Sequence, residues 1–357
     1  MKLKSKKEMD VARLFYILGT IVLVVAVGLF IFFISPSLRF GGGHAGDLDV
    51  GGSGIAAECK LRRALDGVCV NTVSEVYPRA VGVMIENHFD SWPQAGLREA
   101  SVVYEAPVEA GITRFLAIYP AMMNVPKVGP VRSARPYYLD WISEYSSAPY
   151  FHVGGSPAAL QLIHDRQMVS GVNEMTRGWY FWRAPNRFAP HNTYTSSDLW
   201  NKAIVDFGDK LLAGEYDSWQ FNTMSATGTA ATDLKIKFAP PVYSVSWHFV
   251  STTSQYLRDQ AGDAHLDETG QQIYADNVVI ITTDIGVIDE VGRREIRTMG
   301  GGGCVVARDG VVIEGKWVKN SPAQRIHCVD EGGREISLRS GHTWVEIRNE
   351  KIIVEYK

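Results

Sequence analysis

Cysteine is scarce. The chain has four (Cys59, Cys69, Cys304 and Cys328) in 357 residues and no Cys-x-x-Cys pair, which argues against a zinc ribbon or a dithiol redox centre. No P-loop occurs, and no glycine-rich turn leads from a strand into a helix in the dinucleotide-binding manner, so the two common nucleotide cradles are excluded. Basic residues are not in excess: 36 Lys and Arg face 39 Asp and Glu. A nucleic-acid binder needs a basic footprint to neutralise phosphates, so no nucleic-acid partner is expected. Internal repeats are absent, and only one long apolar run exists, which excludes solenoids and multi-span transporters.

That run is Leu14–Ile34, without a charge. At 1.5 Å per residue it covers about 31 Å, the depth of one hydrocarbon core. Lys2, Lys4, Lys6, Lys7 and Arg13 precede it and only Arg39 follows closely, so the positive-inside rule places the N-terminus in the cytoplasm. Phe30, Phe32, Phe33 and Ile34 run straight into Ser35-Pro36 with no small-residue cleavage site, so the run reads as an uncleaved single-pass anchor rather than a signal peptide. Beyond residue 35 the chain carries 31 basic and 37 acidic side chains. It is expected to lie outside the plasma membrane. There, an even cysteine count suggests two local disulfides, Cys59 with Cys69 and Cys304 with Cys328, with free thiols the alternative in an envelope that is not oxidising.

Apolar residues make up 46% of the chain, enough for a core, and the length suggests about two domains. Residues 1–35 form the cytoplasmic tip and anchor, and 36–58 a glycine-rich tether. Residues 59–208 mix strands (Ala80–Ile85, Ser101–Tyr104, Arg114–Tyr119) with helices opened by Pro136, by Ser156-Pro157 and by Thr195-Ser196-Ser197-Asp198. Residues 209–240 are a connection poor in buriable side chains. Residues 241–357 are β-rich, with strands at Val242–Phe249, Asn277–Thr282, Val311–Val318 and Thr343–Tyr356, and a meander or small barrel is expected. The fold class is α+β: a mixed α/β lobe, then a β-rich lobe, behind one transmembrane helix.

The chemistry concentrates in two stretches. In Val128-Gly129-Pro130-Val131-Arg132-Ser133-Ala134-Arg135-Pro136, two arginines sit between two prolines, and a planar guanidinium fork suits carboxylate or phosphate oxygens. Arg114, at the start of a predicted strand, is a third candidate. These arginines could equally pair with Glu105, Glu109 or Asp140 and hold the lobe together. In His152-Val153-Gly154-Gly155-Ser156-Pro157, a strand feeds two glycines and a capped helix start, a geometry that can receive an anion or simply make a tight turn. Ser156 is not read as a nucleophile. A nucleophile elbow uses the N–H of the following residue, and Pro157 has none. His152 and His191 could act as a base or as donors to an anion. Glu86, His88 and Asp90 lack a recognised metal-ligand spacing, and neither a metal nor a cofactor is expected. Trp179, Tyr180, Phe181, Trp182 and Phe188, interleaved with Arg177, Arg183 and Arg187, suit either glycan stacking or a loop packed on the core.

A set of segments, in order, is similar to one known family. Val83-Met84-Ile85-Glu86-Asn87-His88, Pro93-Gln94-Ala95-Gly96-Leu97, Val103-Tyr104-Glu105-Ala106, Glu109-Ala110-Gly111-Ile112-Thr113-Arg114-Phe115, Gly129 to Pro136, His152 to Ser156 and Pro190-His191-Asn192 resemble the N-terminal domain of YerB-like bacterial envelope proteins. Gly292-Arg293-Arg294-Glu295-Ile296, Gly315-Lys316-Trp317 and Gly341-His342-Thr343-Trp344-Val345 resemble their C-terminal domain. The resemblance implies an envelope location but no settled activity. Familiar members look like lipoproteins, and this chain carries an apolar helix in place of the lipidated cysteine. A shorter similarity, Arg132 and Arg135 followed by Gly154-Gly155, is to LytR-CpsA-Psr phosphotransferases, which bind a lipid-linked pyrophosphate outside the cell.

The expectation is therefore an outward-facing envelope protein with an anion cleft made by Arg114, Arg132 and Arg135, with His152, Gly154, Gly155, Ser156 and His191 beside it. A cell-wall precursor or lipid phosphate is the expected ligand class. The alternatives are a non-catalytic scaffold for envelope partners and a phosphotransferase on a lipid-linked pyrophosphate.

Overall fold

Strands dominate the chain because β-branched and aromatic runs recur between short turn clusters. The computed structural model describes residues 59–165, 170–208 and 214–357. The expected anchor and tether lie outside those residues, and among the described residues no helix is long and apolar enough to cross a membrane.

The first half contributes β1 (Ala80–Glu86), β2 (Val102–Pro107), β3 (Thr113–Pro120), α1 (Pro136–Ile142), β4 (Pro149–His152), α2 (Pro157–Asp165), β5 (Ser170–Asn173) and α3 (Ser197–Phe207). The second half adds β6 (Thr229–Ala230), β7 (Asp233–Lys237), β8 (Val245–Val250), β9 (Gln255–Gln260), β10 (Asp263–Ala264), β11 (Tyr274–Ala275) and β12 (Asn277–Thr282). Then follow β13 (Ile285–Val287), β14 (Arg294–Ile296), β15 (Gly300–Arg308), β16 (Val311–Lys319), β17 (His327–Val329), β18 (Thr343–Arg348) and β19 (Ile353–Tyr356).

An eleven-stranded sheet runs β6-β16-β15-β12-β18-β2-β3-β1-β4-β5, with β17 alongside β16. A second, six-stranded sheet runs β10-β9-β8-β7-β19, with β11 beside β9. The two halves meet at a parallel ladder in which β18 pairs with β2, Val345 opposite Tyr104 and Glu346 opposite Glu105. The strands β7-β8-β9-β10 form the expected antiparallel meander, while β12, β15, β16 and β18 instead join strands of the first half in the larger sheet. Local periodicity marks a strand, but the partner across a parallel ladder lies far away in sequence. Glu58–Lys357 form one compact unit. Within 209–240, Tyr216 and Trp219 are buried, and β6 and β7 join the two sheets.

Central strands read as continuous apolar runs because both faces are covered. All seven residues of β1 and all six of β12 are buried. Successive side chains point to opposite faces, so Met84 belongs to the core layer of α1 (Tyr137, Tyr138, Trp141), while Val83 belongs to the layer that holds Trp200 of α3 and Leu234 and Trp247 of the second sheet. In β7 and β9 burial alternates, as expected for a sheet with one wet face. Helix starts follow the predicted caps. Pro136 and Pro157 occupy first turns, and Ser196 Oγ accepts the Leu199 N–H at 3.4 Å. Disulfides join Cys59 to Cys69 and Cys304 to Cys328.

Candidate functional site

The C-terminal end of β1 places Glu86 opposite Arg114 of β3 in the antiparallel ladder. The segment after it bends back along the same strand end, where the Arg132 N–H donates to Met84 O at 2.8 Å. Arg135 then stands at the cap position of α1. These residues, with Glu109, Ser133, Gly155, Ser156 and Arg293 among others, line a cleft of about 360 Å³.

Arg114, Arg132, Arg135, Gly155 and Ser156 thus come together from three separate stretches. Two of the three arginines are paired. Arg132 Nε donates to Glu86 Oε1 at 2.9 Å. Arg135 grips Glu109 through Nε and Nη2 at 2.6 and 2.8 Å, the bidentate fork that orders a guanidinium best. Burial opposes ionisation of Glu109, but the Arg135 hydrogen bonds and charge outweigh it and lower its pKa. Arg114 differs. It is 7% exposed, its Nη1 donates to Ser133 O at 2.7 Å, and its buried Nε has no partner. Among the described residues no carboxylate lies within ion-pair reach of it. Burial, and then the Arg135 charge, push its pKa down.

The glycine turn is less open than the sequence suggests. The Gly154 N–H donates to Asn173 Oδ1 at 2.9 Å, and the Ser156 N–H donates to Ala134 O at 3.2 Å. Gly154 has φ of +58°, so glycine there serves the turn. Ser156 Oγ accepts the Ala159 N–H at 3.3 Å, an N-cap role. His152 lies away from the cleft, 1% exposed, its Nδ1 donating to Gly154 O at 2.7 Å. Burial, then the Arg177 charge, lower its pKa to about 4.

His191 sits at the margin, where its Nδ1 donates to Glu86 Oε2 at 2.9 Å. His88 lines the cleft, and its ring stacks on that of His191 with centroids 5.0 Å apart. Glu86 therefore ties Arg132 to His191, and its own bond to His191 spans 105 positions. Sequence spacing carries no signal of it. The aromatic stretch divides: Tyr180 and Phe181 are buried, while Trp179 and Phe188 are exposed. Arg183 there pairs with Glu174 at 2.9 Å.

A second polar cluster joins the halves. Arg258 of β9 pairs with Glu105 of β2 at 2.7 Å, both fully buried. Thr113 and Trp344 also donate to Glu105, at 2.6 and 3.1 Å. Glu346 beside it has its pKa pushed up by burial and then by the Glu105 charge.

Two family models match the chain in sequence. The N-terminal domain of the protein of unknown function DUF3048 matches residues 66–208, and its C-terminal domain matches residues 234–345. The chain belongs to this family. YerB of Bacillus subtilis (strain 168), named as a candidate lipoprotein, is 33% identical over 298 residues, 81% of this chain and 86% of YerB. The crystal structure of Bacillus subtilis YerB superposes with a TM-score of 0.73 at 31% identity, over 83% of this chain and 100% of that one. The fold is accordingly a YerB-like mixed α/β fold rich in strands.

Proposed function

We propose that this chain is an outward-facing envelope protein whose arginine cleft binds an anionic group, phosphate or carboxylate, of a cell-wall precursor or lipid. The location rests on the charge-free run Leu14–Ile34 and on the lipoprotein designation of YerB. The ligand reading rests on one observation above all: Arg114 is a buried guanidinium in the cleft wall with an unpartnered Nε and no carboxylate of its own. A buried cation left in this state is costly unless a ligand or solvent completes it.

The pairs Arg132–Glu86 and Arg135–Glu109 favour a second reading, a scaffold whose arginines only brace the lobe. Two variants separate them. Arg114→Met keeps the stem and breaks no ion pair. On the ligand reading it weakens binding of inorganic pyrophosphate, or of vesicles containing phosphatidic acid, by about tenfold or more, the worth of a charge-assisted hydrogen bond of about 1.5–3 kcal/mol. Its melting temperature stays near that of the parent. Arg132→Ala/Arg135→Ala should lose the same binding while remaining folded. Calorimetric binding unchanged in Arg114→Met, or undetectable in the parent, overturns the ligand reading. A double variant that unfolds while Arg114→Met binds normally establishes the scaffold.

A further inference from the structure

We infer that His88, Asp90 and His191 form a binding site for a divalent transition-metal ion at the margin of the arginine cleft, with two imidazoles and one carboxylate as ligands. Their ligand atoms all lie within 4.8 Å of one another. Asp90 Oδ2 stands 3.5 Å from His88 Nδ1 and 3.8 Å from His191 Nε2. Atoms bound tetrahedrally at 2.0–2.1 Å sit about 3.4 Å apart, so closing on an ion requires the three ligand atoms, which now span up to 4.8 Å, to draw together.

Proton placement points the same way. His191 Nδ1 donates to the carboxylate of Glu86, which fixes the neutral ring's tautomer and leaves Nε2 with a lone pair toward Asp90. His88 Nδ1 accepts the Asp90 N–H at 3.3 Å, so in the neutral ring this nitrogen also carries a lone pair. An ion would take the His88 lone pair over from the Asp90 N–H and gather the two imidazole nitrogens with the Asp90 carboxylate. A carboxylate holding the far nitrogen of a ligating histidine is the usual outer support of a metal site. Glu86, buried on β1 and also held by Arg132, supplies that support here. Both histidines and the aspartate sit on short turns anchored to the sheet. His88 caps the 3-10 turn Phe89–Ser91 that holds Asp90.

Two imidazoles and a carboxylate suit a borderline ion such as Zn²⁺, with a remaining position for water or a ligand atom. His88 also lines the arginine cleft, so that position adjoins the space assigned to the anion. The site itself does not depend on the anion reading.

The test uses the full chain stripped with a chelator and titrated calorimetrically with Zn²⁺ alone. One ion per chain is expected, and Co²⁺ in its place should give visible ligand-field bands. His191→Ala and Asp90→Ala should each weaken Zn²⁺ binding at least about tenfold. Glu86→Gln, which keeps the cleft shape but weakens the support, should cost about 10–100-fold. Arg114→Met should leave Zn²⁺ affinity unchanged, which separates this site from the anion reading. Absence of binding in the parent, or unchanged stoichiometry and affinity in a folded His88→Ala/His191→Ala variant, overturns the assignment.

Discussion

His152 shows how one buried side chain sets a pH response. Its ring titrates near 6.5 in the unfolded chain and at about 4 in the fold, chiefly because burial disfavours the cation. Between these values the unfolded state holds a proton that the folded state does not. Stability is therefore complete above pH 6.5 and falls as the pH drops toward 4, by about 3 kcal/mol in all. His152→Asn retains a donor for Gly154 O but does not titrate. Urea denaturation at pH 7 and pH 4.5 should show a smaller difference for the variant than for the parent, and an identical pH slope in both would refute the account. At this scale the sequence was informative about type and blind to partners. Arg132 and Arg135 are legible as planar forks between two prolines and Arg114 as a third at a strand start, and all three line one cleft. Glu86 is marked in the sequence only by its neighbours His88 and Asp90, and its link between Arg132 and His191 is not legible there because those partners arrive from distant turns. His152, readable in sequence as a base, an anion donor or a structural hydrogen-bonding group, is a core residue.

Element by element, capping and periodicity were legible, and partner choice was not. Asn277–Thr282 is a strand over the span expected, and the turn at Arg348-Asn349-Glu350 separates β18 from β19. The glycine run before Cys304 lies within β15. Gly302 is there because a Cβ would fall 2.4 Å from Thr282 O and 2.6 Å from Trp317 Nε1, where Trp317 Nε1 donates to Thr282 O at 2.8 Å. Gly302→Ala should break that bond and shift backbone, costing about 1–3 kcal/mol. The expected readout is a lower denaturation midpoint with an altered tryptophan emission. An unchanged midpoint would mean that the strands separate freely at this point.

The whole molecule depends on the seam where β18 meets β2. Its polar centre is a fully buried pair, Arg258 with Glu105, with Glu346 opposite Glu105 in the ladder. Removing one partner of such a pair strands a charge in the interior and costs about 3–5 kcal/mol. Arg258→Met is therefore expected to lower stability by that amount. Because both halves contribute strands to one sheet, the parent should unfold in a single calorimetric transition, with van't Hoff and calorimetric enthalpies equal. Two resolved transitions would show that the seam is not cooperative.

Glu105 and Trp344 bond across 239 residues, so the flank of β2 stays bare during synthesis until nearly the whole chain has emerged. At about 5–20 residues per second that wait is roughly 10–50 s. Such distant pairing also makes for slow maturation. In transit the half-made sheet offers an open hydrogen-bonding edge to any neighbouring polypeptide, so this protein should depend on chaperones during biogenesis more than its finished stability would suggest.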